Sequence, residues 1–244
     1  MSHTSRAEVP LSSRSGPPSE RLCRACAAFG VALVPARSPT DTDASTQARH
    51  DAKSLHDTLK PGAIALVTGP SGSGKSTLLR ALAARVRASR QPCVVARRPR
   101  QDRAIIDLWN ESPAESLRTL ARAGLADARL WARTPDELSE GERARLTIAL
   151  AMTRAVHHAK RRPTTMILDE FASTVDRATS RALCHSLRRW MHEAAESGRV
   201  LRVVACTAHD DVLEWLAPTL LVVTALGKPA RLKIKDKSHD DPAR

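Results

Sequence analysis

Residues 63–82 read AIALVTGPSGSGKSTLLRAL, and this stretch decides the fold. Six residues, AIALVT, make an apolar run of strand length. A loop rich in Gly and Ser follows, and then TLLRALAARV with helical spacing of its leucines. Gly69 to Ser76 matches G-x-x-x-x-G-K-S between a strand and a helix, the context in which that pattern holds phosphate. The residue types follow from the chemistry. The loop residues Gly69, Pro70, Ser71, Gly72, Ser73 and Gly74 let backbone N–H groups turn inward to cradle phosphate oxygens. The helix that opens at Lys75, Ser76 and Thr77 adds its dipole. Lys75 is a point cation for the β- and γ-phosphates, and the Ser76 hydroxyl suits Mg²⁺.

Working outward, strands and helices alternate from about residue 60. That is the pattern of a mostly parallel sheet flanked by helices. The expected strands are 63–68, 93–96, 165–169, 201–207 and 219–225, and the expected helices lie near 75–88, 114–123, 140–159, 177–197 and 210–216. Residues 1–18, rich in Ser and Pro, are expected to be disordered, and 21–30 to be helical. Residues 37–52 read as a loop and 231–244 as a polar tail. The ATP-binding body is therefore expected over 19–230, in a chain of 244 residues.

Composition bounds the rest. Hydrophobic residues make up 42% of the chain but aromatics only 2%, so the core must be built mainly from Leu, Ala, Val and Ile. No run reaches the ~18 apolar residues of a membrane span. The first residues lack the apolar segment of a secretory signal. Five cysteines at irregular spacing suit a reducing compartment, so the expected location is the cytoplasm. Cys23 and Cys26 form one C-x-x-C, read as plain helix positions because no second ligand pair accompanies them.

The net charge of +13 admits a nucleic-acid partner. Arginines crowd residues 85–103: Arg85, Arg87, Arg90, Arg97, Arg98, Arg100 and Arg103 stand against one acid, Asp102. Two readings of this run stand side by side, a solvated face and a set of phosphate contacts.

Two further stretches carry chemistry. TTMILDEFASTVD (164–176) ends an apolar strand with Asp169 and Glu170. Downstream of a phosphate loop, such a pair suits a Mg²⁺ ligand and a general base for water. PDELSEGERARL (135–146) contains Ser139 and Glu142 at the spacing of a capping box. The free N–H groups at such a helix start can take either a cap or a phosphate.

A phosphate loop, then L-S-x-G-x at a helix start, then a strand ending in D-E, resembles the ATP-binding-cassette (ABC) ATPases. The resemblance covers about residues 60–225. It implies an α/β P-loop NTPase fold with a short helical subdomain, about 104–145, that carries the signature Leu138-Ser139-Glu140-Gly141-Glu142. It further implies a Mg²⁺-dependent ATPase working as an ATP-closed dimer, expected to be a homodimer, in which Ser139 and Gly141 contact ATP held by the partner subunit. Asp176, in Ser173-Thr174-Val175-Asp176, takes the place of the aspartate that organises the dimer interface. His209 is placed like the histidine that touches the γ-phosphate. Gln101 takes the place of the glutamine that helps hold Mg²⁺ and the water. Glu140 departs from the family, which has glycine there.

The short stretch between Gln101 and Ser139 points away from transporters and from relatives with long coiled-coil insertions. Finer details resemble ABC ATPases without membrane domains, some fused to a predicted acetyltransferase domain that a chain of this length would lack. The expected output is work on nucleic acid or a soluble partner. The alternatives are the ATP-binding subunit of a membrane transporter whose spans lie in a separate chain, and a small-molecule phosphotransferase.

Overall fold

A computed structural model describes residues 8–10, 20–28, 32–34, 41–99, 102–160 and 162–234. The chain divides into two units, Met1–Gln47 and Ala48–Arg244. In the first, β1 (Glu8–Pro10) pairs in parallel with β2 (Ala32–Val34), and α1 (Glu20–Ala28) lies between them in sequence. Two expectations change here. Glu8–Pro10 forms a strand inside the segment expected to be disordered. Residues 20–28 and 32–34, expected within the ATP-binding body, lie in this first unit, where β1 and β2 pair with each other and not with the main sheet.

Helix α2 (Asp41–Thr58) occupies residues expected to be a loop. Its turn-forming residues cluster in its first half. Ala52 and Leu55, with Leu59 just beyond its end, bury the apolar stripe that holds it on the second unit.

The second unit is built on a six-stranded sheet of β3 (Ile64–Thr68), β4 (Cys93–Val95), β5 (Thr164–Leu168), β6 (Leu201–Cys206), β7 (Leu220–Ala225) and β8 (Lys228–Ile234), in the order β4-β5-β6-β3-β7-β8. Five strands run parallel, and β8 returns antiparallel to β7. Residues 231–234, expected in the tail, are therefore sheet. The charges of Arg231 and Lys233 disguise them in sequence, yet charged residues suit an edge strand. Leu232 packs on the core, and the Ala230 N–H donates to the Asp51 carboxylate (3.0 Å).

Alternation along the strands sends side chains to two layers. Ala65 and Val67 face α2 and α3 (Lys75–Ala88). Ile64 and Leu66 face the layer of α6 (Glu140–Ala159), α7 (Arg177–Glu196) and α8 (Val212–Leu216). These cores are mostly Leu, Ala, Val and Ile, as the scarcity of aromatics requires. A third apolar cluster lies between β4 and α6, where α4 (Pro113–Arg122), α5 (Ala128–Trp131) and two 3₁₀ turns, Ile105–Leu108 and Pro135–Glu137, gather Ile105, Leu120, Leu125 and Leu138 against Leu146 and Leu150 of α6. Trp109 joins it and donates from Nε1 to Thr153 Oγ1 (2.8 Å). Among the described residues no helix is long and apolar enough to cross a membrane.

Candidate nucleotide site

The carboxyl ends of β3, β6 and β5 lie side by side, and ligands of open α/β sheets bind beyond such ends. A cleft of about 480 Å³ opens there. The loop after β3 contributes Ser71, Gly72 and Gly74, and α3 contributes Lys75, Ser76 and Thr77. Asp169, Glu170 and Ser173 follow β5. Cys206 ends β6, and Thr207 and His209 follow it.

Two glycines shape the loop. Gly74 is the N-cap of α3 with φ +89°, and no side chain caps that helix. Its first N–H groups therefore face the cleft with the dipole behind them. Gly69, at φ +147°, lies so close to β7 that a Cβ would collide with the Thr224 carbonyl oxygen and hydroxyl. The buried Thr224 hydroxyl bonds Ser73 Oγ (2.7 Å) and the Thr68 carbonyl (3.1 Å), tying the loop to β7. Lys75 Nζ donates to the carbonyls of Gly69 (2.7 Å) and Pro70 (2.8 Å). Two of its three donors are thus spent holding the ammonium over the loop.

Asp169 and Glu170 both stand exposed to the cleft. The strand before them is buried, but both carboxylates are exposed, so neither bears the cost of burial. Glu170 adopts φ +52° and Ala172 φ +59°, a region that non-glycine residues rarely visit. Strain of this kind gathers at functional sites. It is held in place by the Glu170 N–H donating to Asp169 Oδ1 (3.1 Å) and the Phe171 N–H donating to the Cys206 carbonyl (2.7 Å). Burial first, then the Asp169 carboxylate, push the Cys206 thiol up to about 12. Cys206 is therefore a neutral wall of the cleft.

His209 is exposed, and its N–H donates to Thr207 Oγ1 (3.2 Å), which sets the turn that presents the ring. Just beyond it Asp211 pairs with Arg177 (2.9 Å), whose guanidinium lies 5.9 Å from the Trp215 ring centroid. The loop bearing His209 is thereby tied to the start of α7.

Ser139, Gly141 and Asp176 lie outside the cleft. Ser139 caps α6 in a reciprocal box: its Oγ accepts from the Glu142 N–H (3.3 Å), and Glu142 Oε2 accepts from the Ser139 N–H (2.8 Å). The Ser139 N–H foremost holds the Glu142 carboxyl below its ordinary value. Gly141 packs against Thr174 and Val175. Asp176 caps α7 through the Thr179 N–H (2.9 Å) and hydroxyl (2.6 Å), and the hydroxyl bond is the larger cause of its lowered pKa. Glu140 receives Arg143 and Arg98, each at 3.2 Å, which joins the start of α6 to the loop after β4. Gln101 lies outside the described residues.

Among the described residues the arginine run is divided between the two ends of β4, and Arg100 lies outside them. Arg85 pairs with Asp57 of α2 (3.6 Å), Arg87 and Arg90 lie before β4, and Arg97 and Arg98 lie after it.

Sequence reasoning missed Thr207, Thr224 and Cys206. Their only signal was position at the end of a strand next to a phosphate loop.

The residues present suit a nucleotide with Mg²⁺. The Ser76 hydroxyl and the Asp169 carboxylate are hard oxygen donors on one cleft, next to uncapped helix N–H groups. Among the described residues no three His, Cys, Asp or Glu form a metal cage. Mg²⁺ held through one or two protein oxygens, waters and phosphates needs none.

Comparisons with known proteins agree with this fold. The AAA ATPase domain family matches residues 50–203, which span the phosphate loop, α6, and β5 with the Asp169-Glu170 pair after it. Among solved structures the chain is similar to a nucleotide-free ATP-binding cassette from an ABC transporter, with a TM-score of 0.50 and 15% identity, over 73% of this chain and 83% of that one. No curated protein matches. At that identity the structural likeness speaks for the fold, and the family match covers well over half of the chain: this protein belongs to the AAA ATPase domain family, an ATP-hydrolysing enzyme on a mostly parallel P-loop NTPase sheet.

Proposed function

We propose that the protein is a Mg²⁺-dependent ATPase of cassette type that works as an ATP-closed homodimer coupled to nucleic acid or to a soluble partner. What supports this is one observation above the others: three neighbouring strands deliver Lys75 and Ser76, Asp169 and Glu170, and His209 to a single cleft.

In this reading the loop amides and Lys75 hold the β- and γ-phosphates of ATP. Ser76 and Asp169 hold Mg²⁺, with Gln101 completing its surroundings. Bound there, Mg²⁺ neutralises charge on the phosphate oxygens. Glu170 accepts a proton from the attacking water, and its exposed carboxylate with a fixed backbone suits that role. His209 contacts the γ-phosphate. Ser139, Gly141 and Asp176 lie outside the cleft of their own subunit, as residues that act on a partner's nucleotide would. ATP favours the closed dimer by its differential contacts, and hydrolysis removes that difference.

Glu170→Gln tests the reading. General-base loss is expected to lower steady-state hydrolysis about a hundredfold or more. ATP binding should persist, and light scattering should show an ATP-dependent dimer that outlasts the wild-type one. Turnover at the normal rate would remove Glu170 from the mechanism.

A further inference from the structure

Helix α6 links two ends of the molecule. Its 20 residues make a rod of about 30 Å. Ser139 and the signature lie at its N-terminus, by the carboxyl ends of the sheet. Its C-terminus reaches the opposite edge, where β4 and β5 begin. A groove of about 610 Å³ opens there, lined by Pro92, His157, His158, Lys160 and Arg162. Among the described residues no carboxylate lines it and none of these side chains forms an ion pair.

The groove is assembled from two separate segments. His157 and His158 lie in the last turn of α6 and Lys160 is its C-cap, and all three are exposed. The two imidazoles meet edge to face, 5.9 Å apart. Arg162 donates from Nη1 to the Arg90 carbonyl (3.4 Å), which bridges the entrances of β5 and β4. Pro92 is tied to β5 by the Thr165 N–H (3.0 Å). A helix C-terminus favours cations through its dipole, but the effect fades within the last turn. It explains the histidines and leaves Arg162 unexplained. His157 and Lys160 also line the adjoining hollow, where Glu111 and Glu115 stand beside Arg122 and Arg199, so the stretch without carboxylates is the side of the groove that Arg162 and Pro92 form.

We infer that this groove binds the phosphodiester backbone of a nucleic acid, at the end of α6 opposite the signature. The inference rests on the ATPase reading above and replaces the arginine run, which the fold breaks up, as the seat of contact. A cationic groove without carboxylates matches a polyanion, and such contacts carry no base specificity. One helix then presents Ser139 to nucleotide and Lys160 to nucleic acid, so that closure of the dimer and occupancy of the groove act on the same rigid element.

The test is Lys160→Glu with Arg162→Glu in the full chain, beside a charge-matched control, Arg231→Glu with Lys233→Glu on edge strand β8. Binding of a fluorescein-labelled DNA oligonucleotide, single-stranded and duplex, is followed by anisotropy across a salt series without ATP. The groove variant is expected to bind at least about tenfold more weakly, with a log–log salt slope shallower by about two units. The control should lose less than about twofold, and whatever binding to phosphatidylserine-rich vesicles the charge of +13 produces should be equal in the groove variant and the control. Basal hydrolysis without DNA should be unchanged in the groove variant. Equal losses in both variants, unchanged binding in the groove variant, or wild type that binds vesicles and no DNA would overturn the inference. Hydrolysis is read separately, so a wild type that binds DNA through the groove but does not turn over ATP would sink the ATPase reading alone.

Discussion

At the scale of single residues, the phosphate loop depends on contacts that no local pattern reveals. Gly69 is required by the Thr224 wall as much as by its own φ. Gly69→Ala is expected to destabilise the fold by about 2–4 kcal/mol through strain and overpacking, and to abolish ATP binding. Thermal unfolding with an ATP titration checks both, and an unchanged melting temperature would mean that β7 yields. Thr224→Val removes the bonds to Ser73 and Thr68 while keeping the shape. Its expected cost is about 1–2 kcal/mol, with a raised KM for ATP and little change in kcat, because Thr224 positions the loop and does not reach the phosphates. Thr224→Ser should restore most of the loss.

At the scale of elements, α6 shows how one cap serves two ends. The reciprocal Ser139–Glu142 box satisfies the first N–H groups of a long helix. Ser139→Ala should cost about 1 kcal/mol by loss of the cap alone. If Ser139 also closes on a partner's nucleotide, ATP-driven dimerisation should fall further than that stability loss explains. Glu142 supplies a pH dependence of known sign. Its carboxyl is held below the ordinary value of 4.5, so the folded state binds the proton less readily than the unfolded chain. The stabilisation is present above about pH 4.5 and is lost as pH falls through the lowered folded value. Glu142→Gln keeps a capping side chain and should lack this acid-side part, seen as a flatter melting temperature between about pH 5 and pH 3.

At the scale of the whole molecule, the described residues of the second unit form three apolar clusters, and the one packed on the first half of α6 contains no residue of the sheet. Leu120 is fully buried in that cluster. Leu120→Ala is expected to cost about 2–5 kcal/mol. The opening should concentrate in residues 105–150, measured as faster hydrogen exchange there than in β3 or β6. ATP binding should survive while hydrolysis falls. Equal loss of both would mean that the cluster does not move apart from the sheet.

Much of this protein was legible in its sequence because the relevant physics is local. A glycine-rich loop between an apolar strand and a leucine-spaced helix can be read within twenty residues. So can Ser139 and Glu142 three positions apart, or Asp169 and Glu170 at the end of TTMIL. The parallel strands followed from apolar runs bounded by turns, and their observed limits fall within a residue or two of the expected ones. Other features required tertiary structure because they join residues far apart in the chain. Ser73 meets Thr224 across 151 positions, and Arg98 meets Glu140 across 42. The pairing of β8, whose charges read as a tail, follows from the edge that β7 leaves free. The separation of Met1–Gln47 follows from which strands found each other. The sequence by itself determined a nucleotide-binding α/β fold, since loop chemistry and strand periodicity are set by neighbours. Only the tertiary structure decided which strands stand side by side, and with them which cations and carboxylates share a surface. That depends on sheet order, which no local stretch encodes.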